Sequence, residues 1–176
     1  RKHNDEAMKR SKTAVIPEAY RDFERIFNRA YGNPFFEEYQ TEDADAVLVG
    51  MGTLSMPVKV AIRQMRKQGK KVGFVRVRWF RPFPAEELAQ TLGRFKAVGV
   101  IDRDYSFGSP HMSGVLATEI RASLYPAATR PPVVGFICGL GGREVTVPDV
   151  RRMSDMVFKA AAGQAQPSVT WIGIRE

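Results

Sequence analysis

The chain has 176 residues, 44% of them hydrophobic, and 27 Lys and Arg against 19 Asp and Glu give a net charge of +8. That length suits one domain with an appendage, and the apolar content excludes a disordered chain. The single cysteine, Cys138, excludes an internal disulfide, a cysteine-rich zinc site and an iron–sulfur cluster held by this chain alone.

The chain opens with Arg1 and Lys2 rather than Met, which predicts a fragment of a longer polypeptide. No secretory signal follows, and no apolar run approaches the roughly 20 residues of a membrane span. A cytoplasmic setting without a membrane partner is expected, and lone-cysteine usage agrees with a reducing compartment. The positive charge gathers in Arg1, Lys2, Lys9, Arg10 and Lys12, and again over residues 66–71. A solvated helix end and a basic turn account for these runs, and no nucleic-acid motif accompanies them, so no nucleic-acid partner is expected.

In chain order, Ile16, Tyr20, Phe23 and Phe27 recur at helical spacing with Pro17 in the first turn, and Gly32, Asn33 and Pro34 stop the helix. Residues 1–40 thus read as a connecting helix and linker leading in from a preceding domain, and residues 41–176 as an α/β domain. Ala46–Gly50 is a short apolar strand. Ser55 is placed to cap the next helix, Pro57 suits its first turn, and Val58, Ala61, Ile62 and Met65 line one face. Strands follow at Val72–Arg78, Ala97–Asp102, Val133–Cys138 and Ser168–Ile174. Between them lie a short helix with Leu88 and Leu92, and one marked by Met112, Val115, Leu116, Ile120 and Leu124. A last helix has a capping box, Thr146-x-x-Asp149, at its start. Apolar strands alternating with helices predict an open, mostly parallel five-stranded α/β sheet with helices on both faces.

In such sheets ligands gather at the carboxyl ends of the strands. The loop at Gly50 and Gly52 lacks both the third glycine of a dinucleotide fingerprint and the Lys-Ser/Thr pair of a P-loop, and reads as a tight turn. Arg76 and Arg78 share one strand face and are costly to bury unpaired, which predicts an edge position or an anionic partner. Arg81 follows where a guanidinium can clamp a carboxylate or phosphate. Asp102, Arg103, Ser106, Ser109 and His111 form a polar loop without a nucleophile elbow, and Ser109 or His111 is expected to cap the next helix. Gly139, Gly141 and Gly142 beside Arg143, ahead of a helix start, resemble an anion cradle. Cys138 reads as a small buried hydrophobe. These arginines, Asp102, Ser106 and the glycine loop are candidates for anion binding or interface contact. No catalytic residue and no metal ligand is expected.

The same segments, taken in order, resemble one family. They are Asn33–Pro34, Glu37–Glu38–Tyr39, Glu42–Asp43–Ala44–Asp45, Gly50–Met51–Gly52–Thr53, Arg76-x-Arg78-x-x-Arg81–Pro82–Phe83–Pro84, Asp102–Arg103 with Ser106–Phe107–Gly108, and Gly139–Leu140–Gly141–Gly142–Arg143. Up to about Val150 the chain resembles the alpha subunit of pyruvate:ferredoxin oxidoreductase, in the region similar to the C-terminal domain of transketolase. The resemblance implies a 2-oxoacid oxidoreductase, with pyruvate the commonest substrate, that turns 2-oxoacid and CoA into acyl-CoA, carbon dioxide and reduced acceptor. It implies thiamine diphosphate, Mg and 4Fe-4S clusters in the whole enzyme, none of them held by this chain alone. The partners implied are other subunits or domains of that enzyme, ferredoxin or another electron acceptor, and CoA. This region would then serve assembly, and the isolated chain would be inactive. From another class, a free-standing anion- or nucleotide-binding module would use Arg81 and the Gly139–Arg143 loop.

Overall fold

The computed structural model describes residues 1–174; Arg175 and Glu176, the end of the expected α/β domain, lie outside the described residues. The chain forms two compact units, one of residues 1–37 and 77–84, the other of residues 38–76 and 85 onward.

In the first unit, α1 (Lys2–Arg10) continues through a π-helical stretch, Ser11–Val15, into α2 (Ile16–Phe27). Helix therefore begins well before the stretch that the aromatic spacing marks. Proline lacks an N–H and its ring crowds the carbonyl four residues back, so the wider turn just ahead of Pro17 is where a helix can absorb it. The helix also stops sooner than Gly32, because Asn28 takes a left-handed conformation (φ 49, ψ 41), which asparagine tolerates better than most residues. Phe23 then packs on Phe27 and on Tyr31, at centroid distances of 4.6 and 5.4 Å. Arg78 donates to the carbonyls of Tyr31 and Asn33 at 2.9 and 2.8 Å.

The sheet has six strands in the order β1 (Phe36–Tyr39), β3 (Val72–Val77), β2 (Ala46–Met51), β4 (Ala97–Asp102), β5 (Val133–Ile137) and β6 (Val169–Trp171). This corrects the expected five. β1 has four residues, two of them glutamates, at the edge of the sheet, so it carries almost none of the apolar signal that marks the interior strands. β2 with β4, β4 with β5 and β5 with β6 all pair in parallel.

Successive strand residues face opposite ways. Leu48, Phe74, Ile101 and Phe136 join one core cluster with residues of α3 (Ser55–Lys67) and α6 (Val147–Ala161). The other face meets α5 (Val115–Leu124), which packs on β4, β5 and α4 (Ala85–Leu92). Helices on both faces are thus observed, and α3 and α6 touch each other as they cover their side. The basic turn is also explained locally. Arg66 pairs with Asp43 and donates to the carbonyls of Gln40 and Val72, and Lys70 pairs with Asp155.

Gly99 sets how closely α6 can approach. A Cβ there would lie 2.5 Å from Val157 Cγ2, 2.8 Å from Leu48 Cδ2 and 3.1 Å from Phe136 Cε2. Overpacking of such a site costs about 1–3 kcal/mol. Gly99→Val is expected to lower the urea unfolding midpoint by that amount of stability, and an unchanged midpoint would show that α6 can retreat freely.

Candidate functional site

The end of β4 organises the carboxyl edge of the second unit. Asp102 is only 3% exposed. Its Oδ1 accepts from the Leu116 N–H at 2.9 Å and its Oδ2 from the Ala117 N–H at 3.0 Å, while Asp104 Oδ1 accepts from the Val115 N–H at 2.8 Å. The first three amides of α5 are therefore received by two carboxylates from the preceding loop. This corrects the expectation that Ser109 or His111 caps the helix. Ser109 Oγ instead accepts from the Ser113 N–H at 3.1 Å, and His111 is exposed with φ 62. Ser106 braces the same loop through its N–H, which donates to the Ser113 carbonyl at 3.1 Å.

Gly114 is the position that this capping requires. A Cβ there would lie 2.2 Å from Asp102 Cγ. About two turns further on, Arg121 donates to Ser113 Oγ at 2.9 Å and to the Ser168 carbonyl at 2.6 Å. Sequence reasoning missed Arg121. Its one visible mark is a lone cation between Ile120 and Leu124 on the buried stripe of α5.

Burial pushes the Asp102 carboxyl up to about 6. The amide of Ala117 pulls it back down, Asp104 repels it, and the amide of Leu116 and the Arg121 guanidinium again favour the ion. Burial also lowers Arg121 from its usual range.

Arg103 brings together the loops after β2, β4 and β5. Its Nη1 lies 3.3 Å from Thr53 Oγ1 and its Nη2 lies 3.4 Å from the Gly139 carbonyl. β2 leads to β3 on one side of the sheet, and β4 leads to β5 on the other, so Arg103 and Thr53 span the topological switch point. Ser55 does not cap α3 as expected: it lies inside the helix, and its hydroxyl donates to the Gly52 carbonyl at 2.9 Å.

In the glycine loop, Gly139, Gly141 and Gly142 have φ of 68, 64 and 79. Arg143 Nη1 donates to the Gly173 carbonyl at 2.6 Å. At the following helix start the expected capping box forms. Asp149 Oδ2 accepts from the Thr146 N–H at 2.9 Å, and Thr146 Oγ1 accepts from the Asp149 N–H at 3.3 Å. That capping box satisfies α6 from within.

The other candidate arginines stand apart in kind. Arg76 is half-buried on β3. Arg78 follows directly on the last residue of β3. Arg81 is exposed in the first unit and donates to the Phe80 carbonyl at 2.8 Å, with its guanidinium 4.3 Å from the Phe80 ring centroid. Cys138 is buried, and burial pushes its thiol up to about 12. Among the described residues no three His, Cys, Asp or Glu side chains come together as a metal site, and no helix is long and apolar enough to cross a membrane.

Residues 44–150 match the family described as pyruvate:ferredoxin oxidoreductase core domain II. The chain belongs to this family. The ketoisovalerate oxidoreductase subunit VorA of Pyrococcus abyssi is 41% identical over 162 residues, a stretch covering 92% of this chain and 40% of the relative. The chain therefore spans about two-fifths of the length of that relative. Among solved structures, a 2-oxoglutarate:ferredoxin oxidoreductase from Magnetococcus marinus aligns over 87% of the core domain II chain and 23% of its own, at TM-score 0.54 and 21% identity. A split-gene transketolase aligns over 71% of this chain and 42% of its own, at TM-score 0.54 and 16% identity. At these identities the two structures speak for the fold, which is the transketolase-like α/β arrangement expected.

Asp102 carries a pH prediction. Its folded value, about 6, lies above its ordinary 3.8, so the native state holds the proton more tightly than the unfolded chain. The group's stabilising contribution is fully present below the ordinary value and is lost as pH rises through the folded one. Urea midpoints measured from pH 4 to 7 are expected to contain a falling component that Asp102→Asn lacks. Parallel profiles for the two proteins would contradict the assignment.

Proposed function

We propose that this chain is a domain of the alpha subunit of a thiamine-diphosphate-dependent 2-oxoacid:ferredoxin oxidoreductase and that it serves assembly rather than chemistry. The match of residues 44–150 to core domain II carries the reading. Residues 1–40 would lead in from a preceding domain, and residues 41–176 would form the α/β domain itself. The whole enzyme would convert a 2-oxoacid and CoA to acyl-CoA, carbon dioxide and reduced ferredoxin, or another reduced acceptor, with other subunits as partners. Pyruvate is the first substrate to test and ketoisovalerate the second, since the relative from Pyrococcus abyssi is named for the latter.

Thiamine diphosphate, Mg and 4Fe-4S clusters belong, in this reading, to the rest of the complex. One buried cysteine and no grouping of three ligating side chains among the described residues do not fit a cluster or a metal–diphosphate site, so no step is derived through them. The part left to this chain is contact. Ile26 and Phe27 of α2 are 64% and 63% exposed, more apolar surface than one helix face normally leaves to water. Arg76, Arg78, Arg81, Arg103, Ser106 and the Gly139–Arg143 loop are proposed as interface or anion-facing groups, with Asp102 fixing the loop that carries Arg103 and Ser106.

The test is reconstitution. The 176-residue chain alone is expected to show neither thiamine diphosphate binding nor 2-oxoacid-dependent reduction of ferredoxin. The full alpha subunit assembled with its partner subunits is expected to show both. Turnover by the chain alone, or an assembled complex inert toward pyruvate and ketoisovalerate, would refute the proposal.

A further inference from the structure

Two features of the second unit have no role in assembly as described. The first is a cleft of about 490 Å³ at the carboxyl ends of β5 and β6, walled by Gly139, Gly141, Arg143, Trp171 and Gly173. Small-molecule sites are commonly about 300–1,000 Å³, so its size suits a ligand. The second is a row of aromatic rings. Phe107 meets Tyr105 at a centroid distance of 4.7 Å, and Tyr105 meets Trp171 at 5.0 Å. Trp171 belongs to both features, so the row ends in the cleft wall.

The rings are not stacked face to face, since their planes cross at 77° and 54°. In such edge-to-face pairs one ring covers at most one face of its neighbour. Phe107 is 89% exposed and Trp171 37%, so flat apolar surface is on offer at the mouth.

Arg143 brings a guanidinium into the lining, and Arg103 stands behind Gly139. Among the described residues the polar partners of Arg103 and Arg143 are one hydroxyl, on Thr53, and the carbonyls of Gly139 and Gly173. Among the described residues neither guanidinium is paired with a carboxylate, and each keeps donors in hand. Between them the backbone is bare. A Cβ on Gly141 or Gly142 would meet no atom within 4 Å, so a ligand can reach the chain there directly. The start of α6 is already capped by its own residues, so any anion in the cleft must be held by the guanidiniums and the glycine loop.

We propose that this cleft binds a nucleoside phosphate, its ring against Trp171 and its phosphate on Arg143, with Arg103 behind Gly139 adding positive charge. A bare phosphate would leave the aromatic row unused, and an uncharged ring would leave two arginines without a counter-ion. The proposal does not rest on the oxidoreductase reading, since the chain alone should bind.

The test uses the 176-residue chain in a Trp79→Phe background, so that fluorescence reports Trp171, alongside titration calorimetry. ADP is expected to bind and to quench Trp171. Adenosine and inorganic phosphate should each bind at least roughly tenfold more weakly, and Arg143→Gln should weaken ADP by a similar factor. Trp171→Leu should weaken it likewise while Trp171→Phe retains it. Circular dichroism melting checks each variant's fold, and the exposed Arg143 variant carries the test if Trp171→Leu unfolds. No ADP binding at millimolar concentration overturns the proposal. So does phosphate binding as tightly as ADP, or affinity unchanged in Arg143→Gln. Self-association that Phe107→Ser abolishes, in a chain that ignores ADP, also overturns it and assigns the aromatic row to a protein interface.

Discussion

The carboxylate of Asp102 is the interaction on which this edge of the molecule depends. It stands at the end of the central strand β4 and receives two amides of α5, fixing where the helix starts and how it lies on the sheet. Gly114 has to be a glycine because the carboxylate fills the space that a side chain would need. With Asp102 turned to the α5 side, the alternation of the chain sends Arg103 the other way, toward Thr53 and Gly139. One strand end thus sorts its charges. The anion works inside the fold, and the cation is left among the loops where partners arrive.

Much of this architecture was legible in the residues. The strands buried on both faces are short runs of Val, Ile, Leu and Ala, and every one inside the sheet was marked by its apolar content. The capping box at Thr146 and Asp149 was visible because both partners lie within one turn. Asp102 was harder, since its amide partners lie 14 and 15 residues away and no local pattern joins them. Arg121 posed the same difficulty, because its carbonyl partner on Ser168 comes from a distant segment. β1 escaped notice for a different reason. An edge strand buries one face at most, so half of its few residues follow no apolar rule.

The arginines of the loops after β3, β4 and β5 also turned out to differ in kind. Arg78 serves the backbone of its own unit, tying two carbonyls after α2. Arg103 and Arg143 sit on loops of the α/β unit and reach only neutral oxygens among the described residues. Residue type alone could not separate a structural arginine from an available one. Geometry separates them further: Arg78 closes two carbonyls of one segment at 2.9 and 2.8 Å, whereas Arg103 meets its two oxygens only at 3.3 and 3.4 Å.

Cys138 has a consequence for how any larger assembly ages. Its side chain is buried and burial pushes its thiol up to about 12, so almost no thiolate exists at physiological pH to meet peroxide or oxygen. The thiol of this domain is therefore a poor target for oxidants, and the sulfurs that oxidants meet first are the thioethers of Met8, Met56 and Met112, which are 50%, 70% and 62% exposed.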